Sequence, residues 1–229
     1  MCRTAFLFLI FIQGYISTLA QQVNSQHLLT YADSNLIKQE KPYQFHFGQF
    51  FKNDTVYAIL LDTLRRDNQN VTLFGLKFFE KVGNKWLRRN EYDSLPTWGI
   101  HTRFCNFSKY NYMDYLVSAD IAGTGGNETE YLFIFDKKTR SLLQIKGFEN
   151  LPNTTYNRKN GLITSIGLVS GVPSFEYFKI EDFRLIQVGG KEMWADNSYG
   201  YLTEYKIISG RKIIYKKEKR KLPIDFYKW

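Results

Sequence analysis

The sequence predicts an all-β protein built from antiparallel hairpin units in a propeller-like or stacked-meander arrangement. From Tyr43 onward, short runs rich in aromatic and β-branched residues recur, and several of them alternate apolar with polar residues. Tight polar or Gly-containing turns separate successive pairs of runs. Helix signals are scarce, because only His27–Gln39 has a suitable pattern and Asp33 and Ser34 interrupt it.

The amino-terminal residues predict export. Residues 1–20 combine Arg3, the apolar run Ala5–Ile12 and small residues at Ser17 and Ala20. This order is typical of a cleaved signal peptide. The apolar run is too short to span a bilayer, and no later segment is apolar enough to do so. We therefore expect a periplasmic or secreted protein without a transmembrane segment.

The remaining chain is assigned to an extension and one domain. Residues 21–42 form the predicted amino-terminal extension, and residues 43–229 form a single predicted β domain. Cys2 leaves with the signal peptide, so that Cys105 is the only cysteine of the mature chain. No intramolecular disulfide is expected, and the aromatic and aliphatic residues must supply the core.

The predicted strands follow one another in chain order. The first four are Phe45–Phe47, Val56–Leu61, Leu73–Phe79 and Trp86–Arg89. The last two of these flank a Gly-containing turn at Lys81–Asn84, which favours a hairpin. The same strand–turn–strand unit returns three times, as Tyr131–Phe135 with Ser141–Ile145, Phe175–Ile180 with Arg184–Val188, and Leu202–Ile208 with Lys212–Tyr215.

The formal charge of +9 is concentrated at the carboxyl-terminal end. Residues 206–229 carry nine Lys or Arg against Glu218 and Asp225. Two interpretations stay open: lysines that protect an edge strand from pairing with another chain, and a patch that binds an anionic surface. Nucleic acid is not expected as a partner, since an exported protein seldom meets it and no base-stacking motif is present.

Catalytic and metal signatures are missing from the sequence. His27, His46 and His101 are scattered, and neither paired-His nor CxxC spacing occurs. We predict no cofactor and no metal. Four carboxylates leave a carbohydrate-active enzyme as an alternative, and they are Asp114, Asp120, Glu128 and Glu130.

Two phrases carry a family resemblance. Tyr131–Phe135 is followed by Asp136 and Thr139, and Leu151–Asn153 leads on to Ile163–Ser165. In order and spacing, residues 106–188 resemble the bacterial envelope family of calcium-binding, propeller-like proteins that includes periplasmic lysozyme inhibitors. The resemblance implies a propeller-like fold and a role in binding another macromolecule of the envelope.

The calcium loop that the resemblance implies is degenerate in this chain. The ligand positions fall on Asn106, Ser108, Tyr110 and Asp114, and the usual glycine is Asn111. Only Asp114 keeps a carboxylate, whereas calcium prefers six to eight oxygen ligands, several of them charged. We therefore expect a scaffold turn here and no metal.

The predicted binding residues lie in two segments. The resemblance implies a Ser-Gly loop that enters a lysozyme cleft, and its nearest counterpart contains Ser170, Gly171 and Phe175. The segment Trp194–Tyr201, with Trp194 and Tyr199 as its predicted binding residues, mixes aromatic and polar residues, as sugar-binding loops often do. We expect an exported, non-enzymatic envelope protein that binds a protein, as a lysozyme inhibitor does, or an envelope glycan. The alternatives are a carbohydrate-active enzyme or glycan-binding module, and a structural envelope component without a discrete site.

Overall fold

The structure, a computed structural model, describes residues 30–51, 55–66, 72–108, 113–122, 126–169 and 172–225. Within these ranges, the chain forms one short helix followed by three antiparallel sheets. In each sheet, strands that follow one another in the sequence are neighbours, as in a meander. The predicted all-β fold of antiparallel meander units is therefore confirmed. No helix among the described residues is long and apolar enough to cross a bilayer.

The chain divides into two compact units. The described part of the first unit runs to Pro96 and includes Lys137–Ser141, and the second contains Thr97–Asp136 and the residues from Leu142 onward. Compact units need not be separate domains, so the assignment of residues 43–229 to a single domain stays a prediction.

The first unit contains the helix and a four-stranded sheet. The helix, α1, spans Tyr31–Glu40. The strands, in sheet order, are β1 (Gln44–Gly48), β2 (Tyr57–Arg66), β3 (Thr72–Val82) and β4 (Lys85–Thr97). Residues of the helix and the sheet share one buried apolar cluster, which contains Leu36, Phe45, Phe47, Ala58, Leu60 and Phe79.

The interruption expected at Asp33 and Ser34 is wrong, because both residues lie within α1. Thr30 is the N-cap, and Asp33 is the third residue of the helix in a capping box. The Asp33 carboxylate accepts a hydrogen bond of 2.6 Å from the backbone N–H of Thr30. It also forms an ion pair of 3.0 Å with Lys81 on β3. A residue that disfavours a helix interior thus stabilises the helix start.

The second unit contains two sheets that share one core. The four-stranded sheet orders β5 (Thr102–Cys105), β6 (Asp114–Ala122), β7 (Asn127–Asp136) and β8 (Ser141–Gln144). The six-stranded sheet runs from β9 (Thr155–Asn157) through β10 (Leu162–Val169), β11 (Val172–Glu181), β12 (Arg184–Ala195) and β13 (Tyr199–Ile208) to β14 (Arg211–Lys221). Their shared buried cluster includes Leu116, Leu132, Ile134 and Phe148 together with Ile163, Phe178 and Ile180.

The predicted hairpins are confirmed as neighbouring strands. The pairs β3 with β4, β7 with β8, β11 with β12 and β13 with β14 are all adjacent in their sheets. The strands of the six-stranded sheet are longer than the sequence predicts, and β12 in particular continues to Ala195. This extra length positions the candidate site.

Candidate functional site

The ends of three strands form an arm at one end of the six-stranded sheet. The pairing of β11 with β12 ends at Phe175 and Lys191. The pairing of β12 with β13 continues to Ala195, and the pairing of β13 with β14 begins at Tyr199. The last residues of β12 therefore pair with β13 alone.

Four side chains lie on one face of this arm. Trp194 is opposite Tyr201, and Tyr201 is opposite Lys219. Because side chains alternate between the faces of a strand, Tyr199 lies on the same face as Tyr201. We call Trp194, Tyr199, Tyr201 and Lys219 the aromatic platform. Trp194 is 52% exposed and Tyr199 is 38% exposed.

Two rings of the aromatic platform, those of Trp194 and Tyr201, are stacked on each other. The ring centroids of Trp194 and Tyr201 are 3.8 Å apart, with an angle of 8° between the ring planes. The Lys219 Nζ lies 3.9 Å from the ring centroid of Tyr199 and 5.3 Å from that of Tyr201. Cation–π attraction holds the ammonium group between the two tyrosines.

Asp196 fixes the turn that follows β12. One of its carboxylate oxygens accepts hydrogen bonds from the backbone N–H groups of Ser198, at 2.8 Å, and Tyr199, at 2.7 Å. The other accepts a hydrogen bond of 2.9 Å from the Tyr201 hydroxyl. The backbone hydrogen bonds from Ser198 and Tyr199 are the main reason that the pKa of Asp196 is lowered. Asp196 therefore orients both the turn and a platform ring.

Tyr205 continues the same face toward the middle of the sheet. Its ring packs over the backbone of Gly190, where an added Cβ would lie 2.6 Å from the Tyr205 hydroxyl oxygen. The hydroxyl accepts a hydrogen bond of 3.3 Å from Gln187. The Lys212 Nζ lies 4.3 Å from the ring centroid. A second aromatic–lysine contact thus follows the platform, and a glycine makes room for it.

The predicted binding residues lie in different parts of the six-stranded sheet or outside the described residues. Trp194 and Tyr199 belong to the aromatic platform, on strands where the sequence suggests a loop. Phe175 also lies within a strand, β11, on the opposite face of the sheet, because it pairs with Lys191. Ser170 and Gly171 lie outside the described residues. The binding roles of these residues stay predictions.

The two predicted segments nevertheless share one end of the sheet. In an antiparallel meander, alternate connections lie at the same end. The carboxyl ends of β10, at Val169, and β12, at Ala195, therefore point to the same side of the six-stranded sheet. Pro173 is not part of a loop, since it is paired with Leu168 inside the hairpin.

The Asp114 carboxylate accepts hydrogen bonds from residues at the start of the segment that the family resemblance compares with a calcium loop. One oxygen accepts hydrogen bonds from the backbone N–H groups of Phe107, at 2.6 Å, and Ser108, at 2.7 Å. The other accepts a hydrogen bond of 2.8 Å from the Ser108 hydroxyl. Burial raises the pKa of Asp114 to about 6, although these hydrogen bonds oppose the rise.

The residues of this loop do not fit calcium. Both oxygens of the Asp114 carboxylate already accept protein hydrogen bonds, and no second carboxylate occupies a ligand position. Tyr110 lies outside the described residues, and the Asn106 side chain is exposed. The described part of the chain contains no group of three or more His, Cys, Asp or Glu that could hold a metal ion.

The carboxylates considered for catalysis are partly engaged elsewhere. Glu130 accepts two hydrogen bonds from the Arg103 guanidinium, at 2.9 and 2.7 Å. Such a bidentate pair fixes the orientation of the carboxylate. The side chain of Asp120 lies outside the described residues. Glu128 lies on β7, two residues before Glu130.

Comparison with known proteins supplies a fold and no family. No family model and no curated protein matches the chain. A solved structure of a Xanthomonas type IV secretion system related protein is similar, with a TM-score of 0.51 and 9% sequence identity. The match covers 76% of this chain and 93% of the Xanthomonas chain. At this identity the likeness shows a shared fold alone.

Proposed function

We propose that the chain is an exported, non-enzymatic binding protein of the bacterial envelope that docks another macromolecule on the aromatic platform. The observation that carries the proposal is the stacking of the exposed Trp194 ring on the half-buried Tyr201 ring. Trp and Tyr are enriched among the residues that dominate binding energy at protein interfaces. Asp196 orients the Tyr201 ring before binding, which lowers the entropy cost of docking.

The envelope location rests on three supports. The pattern of residues 1–20 favours export, and the resemblance of residues 106–188 is to envelope proteins. The Xanthomonas protein of similar fold is described as related to a type IV secretion system. A place for this chain in a bacterial secretion or envelope setting is part of the proposal.

A protein partner fits the platform better than a neutral glycan does. Sugar rings stack on an open aromatic face, but Trp194 covers one face of Tyr201, and Lys219 lies near its ring. The outer face of Trp194 remains available, and this favours a glycan-binding module as the second candidate. An enzyme has less support, because Glu130 is held by Arg103.

A capture experiment tests the proposal. The immobilised chain is exposed to an envelope extract of the native cell, and retained macromolecules are compared between wild type, Trp194→Ala and Trp98→Ala. Trp98 is 55% exposed but lies outside the platform, so it is a matched control. We expect wild type and Trp98→Ala to retain the same partner and Trp194→Ala to lose most of it. Equal retention by both variants would falsify the proposal.

The lysozyme-inhibitor form of this function has its own test. The purified chain is added to a lysozyme, and the rate of cell-wall hydrolysis is measured. If Ser170 and Phe175 enter the enzyme cleft, the double variant S170A/F175A loses the inhibition while Trp194→Ala keeps it. Inhibition that survives in S170A/F175A would show that these residues do not make the inhibitory contact.

A further inference from the structure

Within residues 216–221 of β14, the cations on one face form ion pairs and those on the other face do not. On one face, Lys216 pairs with Glu204 at 3.2 Å and with Glu218 at 3.0 Å. Arg220 on that face pairs with Glu218 at 3.0 Å. On the other face, Lys217, Lys219 and Lys221 form no ion pair with any described residue.

The uncompensated lysines lie on the face of the aromatic platform. Lys219 and Lys221 are opposite Tyr201 and Tyr199, and Lys217 is opposite Thr203. Residues two apart on a strand are separated by about 6.8 Å, so that the three ammonium groups form a row along the edge of the platform. We call Lys217, Lys219 and Lys221 the lysine row.

The carboxylates near this face leave it positive. Glu192 is paired with Lys212. Asp196 already accepts three hydrogen bonds, and it is near enough to Lys219 for that ammonium group to help lower its pKa. The positive charge of Lys217 and Lys221 has no such neighbour among the described residues.

The stacking decides which parts of the rings meet a partner. The inner faces of Trp194 and Tyr201 cover each other, and Lys219 lies over Tyr199. The partner therefore meets the outer face of Trp194, ring edges and ammonium groups. The ring edges carry partial positive charge, and together with the ammonium groups they attract carboxylates.

We propose that the aromatic platform and the lysine row together bind an acidic surface of a partner protein. The inference rests on the proposed function and names its partner class. The exposed indole of Trp194 supplies an apolar anchor of the kind that protein interfaces use, which neither a sulfated glycan nor a lipid headgroup requires. A strongly basic lysozyme would be repelled at this face.

A protective role of the lysines does not explain their arrangement. Lysines that only discourage edge pairing need no particular face, since they act on the backbone edge. Within residues 216–221 of β14, Lys216 and Arg220 on one face are ion-paired with Glu204 or Glu218, whereas Lys217, Lys219 and Lys221 on the platform face are not. Complementarity to an acidic partner accounts for this difference.

The test uses poly-L-glutamate as an acidic polypeptide probe, with binding to the full chain measured by isothermal titration at low salt. The triple variant K217Q/K219Q/K221Q removes the lysine row. The control R211Q/K216Q/R220Q removes the same number of charges from the opposite face of β14. We expect the first variant to bind about tenfold more weakly or worse, and the control to stay within about threefold of wild type.

Three results would overturn the inference: no binding of poly-L-glutamate, equal losses in the two triple variants, or tighter binding of dextran sulfate or phosphatidylglycerol vesicles than of poly-L-glutamate. The last result assigns the surface to a polyanionic glycan or a membrane. If the platform partner is captured through Trp194 while the two triple variants bind the probe alike, the partner class is wrong and the proposed function stands. If probe binding depends on the lysine row but capture does not depend on Trp194, the proposed function fails.

Discussion

Replacing Asp114 with asparagine should remove a dependence of stability on pH from the second unit. Asp114 is fully buried, and burial raises its pKa from 3.8 to about 6. The folded chain therefore holds this proton at pH values where the unfolded chain has lost it. Stability from this group is complete below about pH 4 and is lost as the pH rises through about 6.

The magnitude follows from the size of the pKa change. A rise from 3.8 to about 6 corresponds to about 3 kcal/mol of unfolding free energy, at about 1.4 kcal/mol for each pKa unit. Asparagine fits the same geometry. Its amide oxygen accepts the hydrogen bonds from the backbone of Phe107 and Ser108, and its amide group donates to the Ser108 hydroxyl oxygen.

The assay is urea unfolding of wild type and Asp114→Asn at pH 4 and pH 7.5, followed by hydrogen exchange of the Phe107 and Ser108 amides. We expect the difference between the two proteins to move by about 3 kcal/mol in favour of asparagine at the higher pH. Asp182→Asn, at an exposed turn position, controls for the loss of one negative charge. Asp114→Ala should be less stable than Asp114→Asn by about 2–6 kcal/mol, because it leaves two backbone N–H groups without acceptors.

A difference between wild type and Asp114→Asn that does not change with pH would refute the reasoning. A difference that moves in favour of wild type at the higher pH would show that the hydrogen bonds outweigh burial.

Three further predictions concern packing and titration. Gly190→Ala should destabilise the second unit by about 1–3 kcal/mol in urea unfolding, because the new Cβ would lie 2.5 Å from the backbone carbonyl oxygen of Phe175 and 2.6 Å from the Tyr205 hydroxyl oxygen. Asp33→Ala should lower the unfolding free energy by about 1–3 kcal/mol, because the capping box and the buried partner of Lys81 are both lost. Burial lowers the pKa of His46 to about 4, so the first unit should lose up to about 3 kcal/mol as the pH falls from about 6.5 to about 4, and His46→Gln should not.

Each of these predictions has a contrary outcome. An unchanged urea midpoint in Gly190→Ala would show that the Phe175 backbone and the Tyr205 ring both move aside without cost. Asp33→Ala with wild-type helix content and stability contradicts the capping argument. Equal acid sensitivity in wild type and His46→Gln excludes His46 as the titrating group.

The hairpins were predictable because their signals are local. A pair of alternating runs on either side of a short turn identifies β3 with β4 or β13 with β14 without knowledge of any distant contact. Local signals also hide the arm. Asp196 and its neighbours favour a turn, so the sequence predicts a loop that includes the aromatic residues on both sides, although Tyr199 and Tyr201 alternate as strand residues do.

The features that could not be predicted depend on contacts between residues that are far apart in the sequence. A register shift of β14 against β13 leaves Tyr215 between Ile214, opposite Tyr205, and Lys216, opposite Glu204. This bulge places Lys212 on the face of Lys217, Lys219 and Lys221, whereas unbroken alternation would put Lys212 with Lys216. The sequence shows that the carboxyl-terminal segment is basic. Only the strand register shows on which face of β14 each charged residue lies.

The role of Asp114 also depends on distant packing. When each ligand position of the implied calcium loop is compared with the sequence, only Asp114 carries a carboxylate. The hydrogen bonds from the backbone N–H groups of Phe107 and Ser108 to this carboxylate depend on where β6 begins, at Asp114, and the sequence does not show this. In the structure Asp114 is a buried hydrogen-bond acceptor.

The most direct test of the aromatic platform as a docking surface is photo-crosslinking in the native cell. A benzophenone amino acid is placed at position 199, on the platform, or at position 98, which is also exposed but off the platform. We expect a discrete crosslinked protein from position 199 that is missing from position 98 and is lost when Trp194→Ala is added. No crosslink from Tyr199, or the same product from both positions, would contradict it.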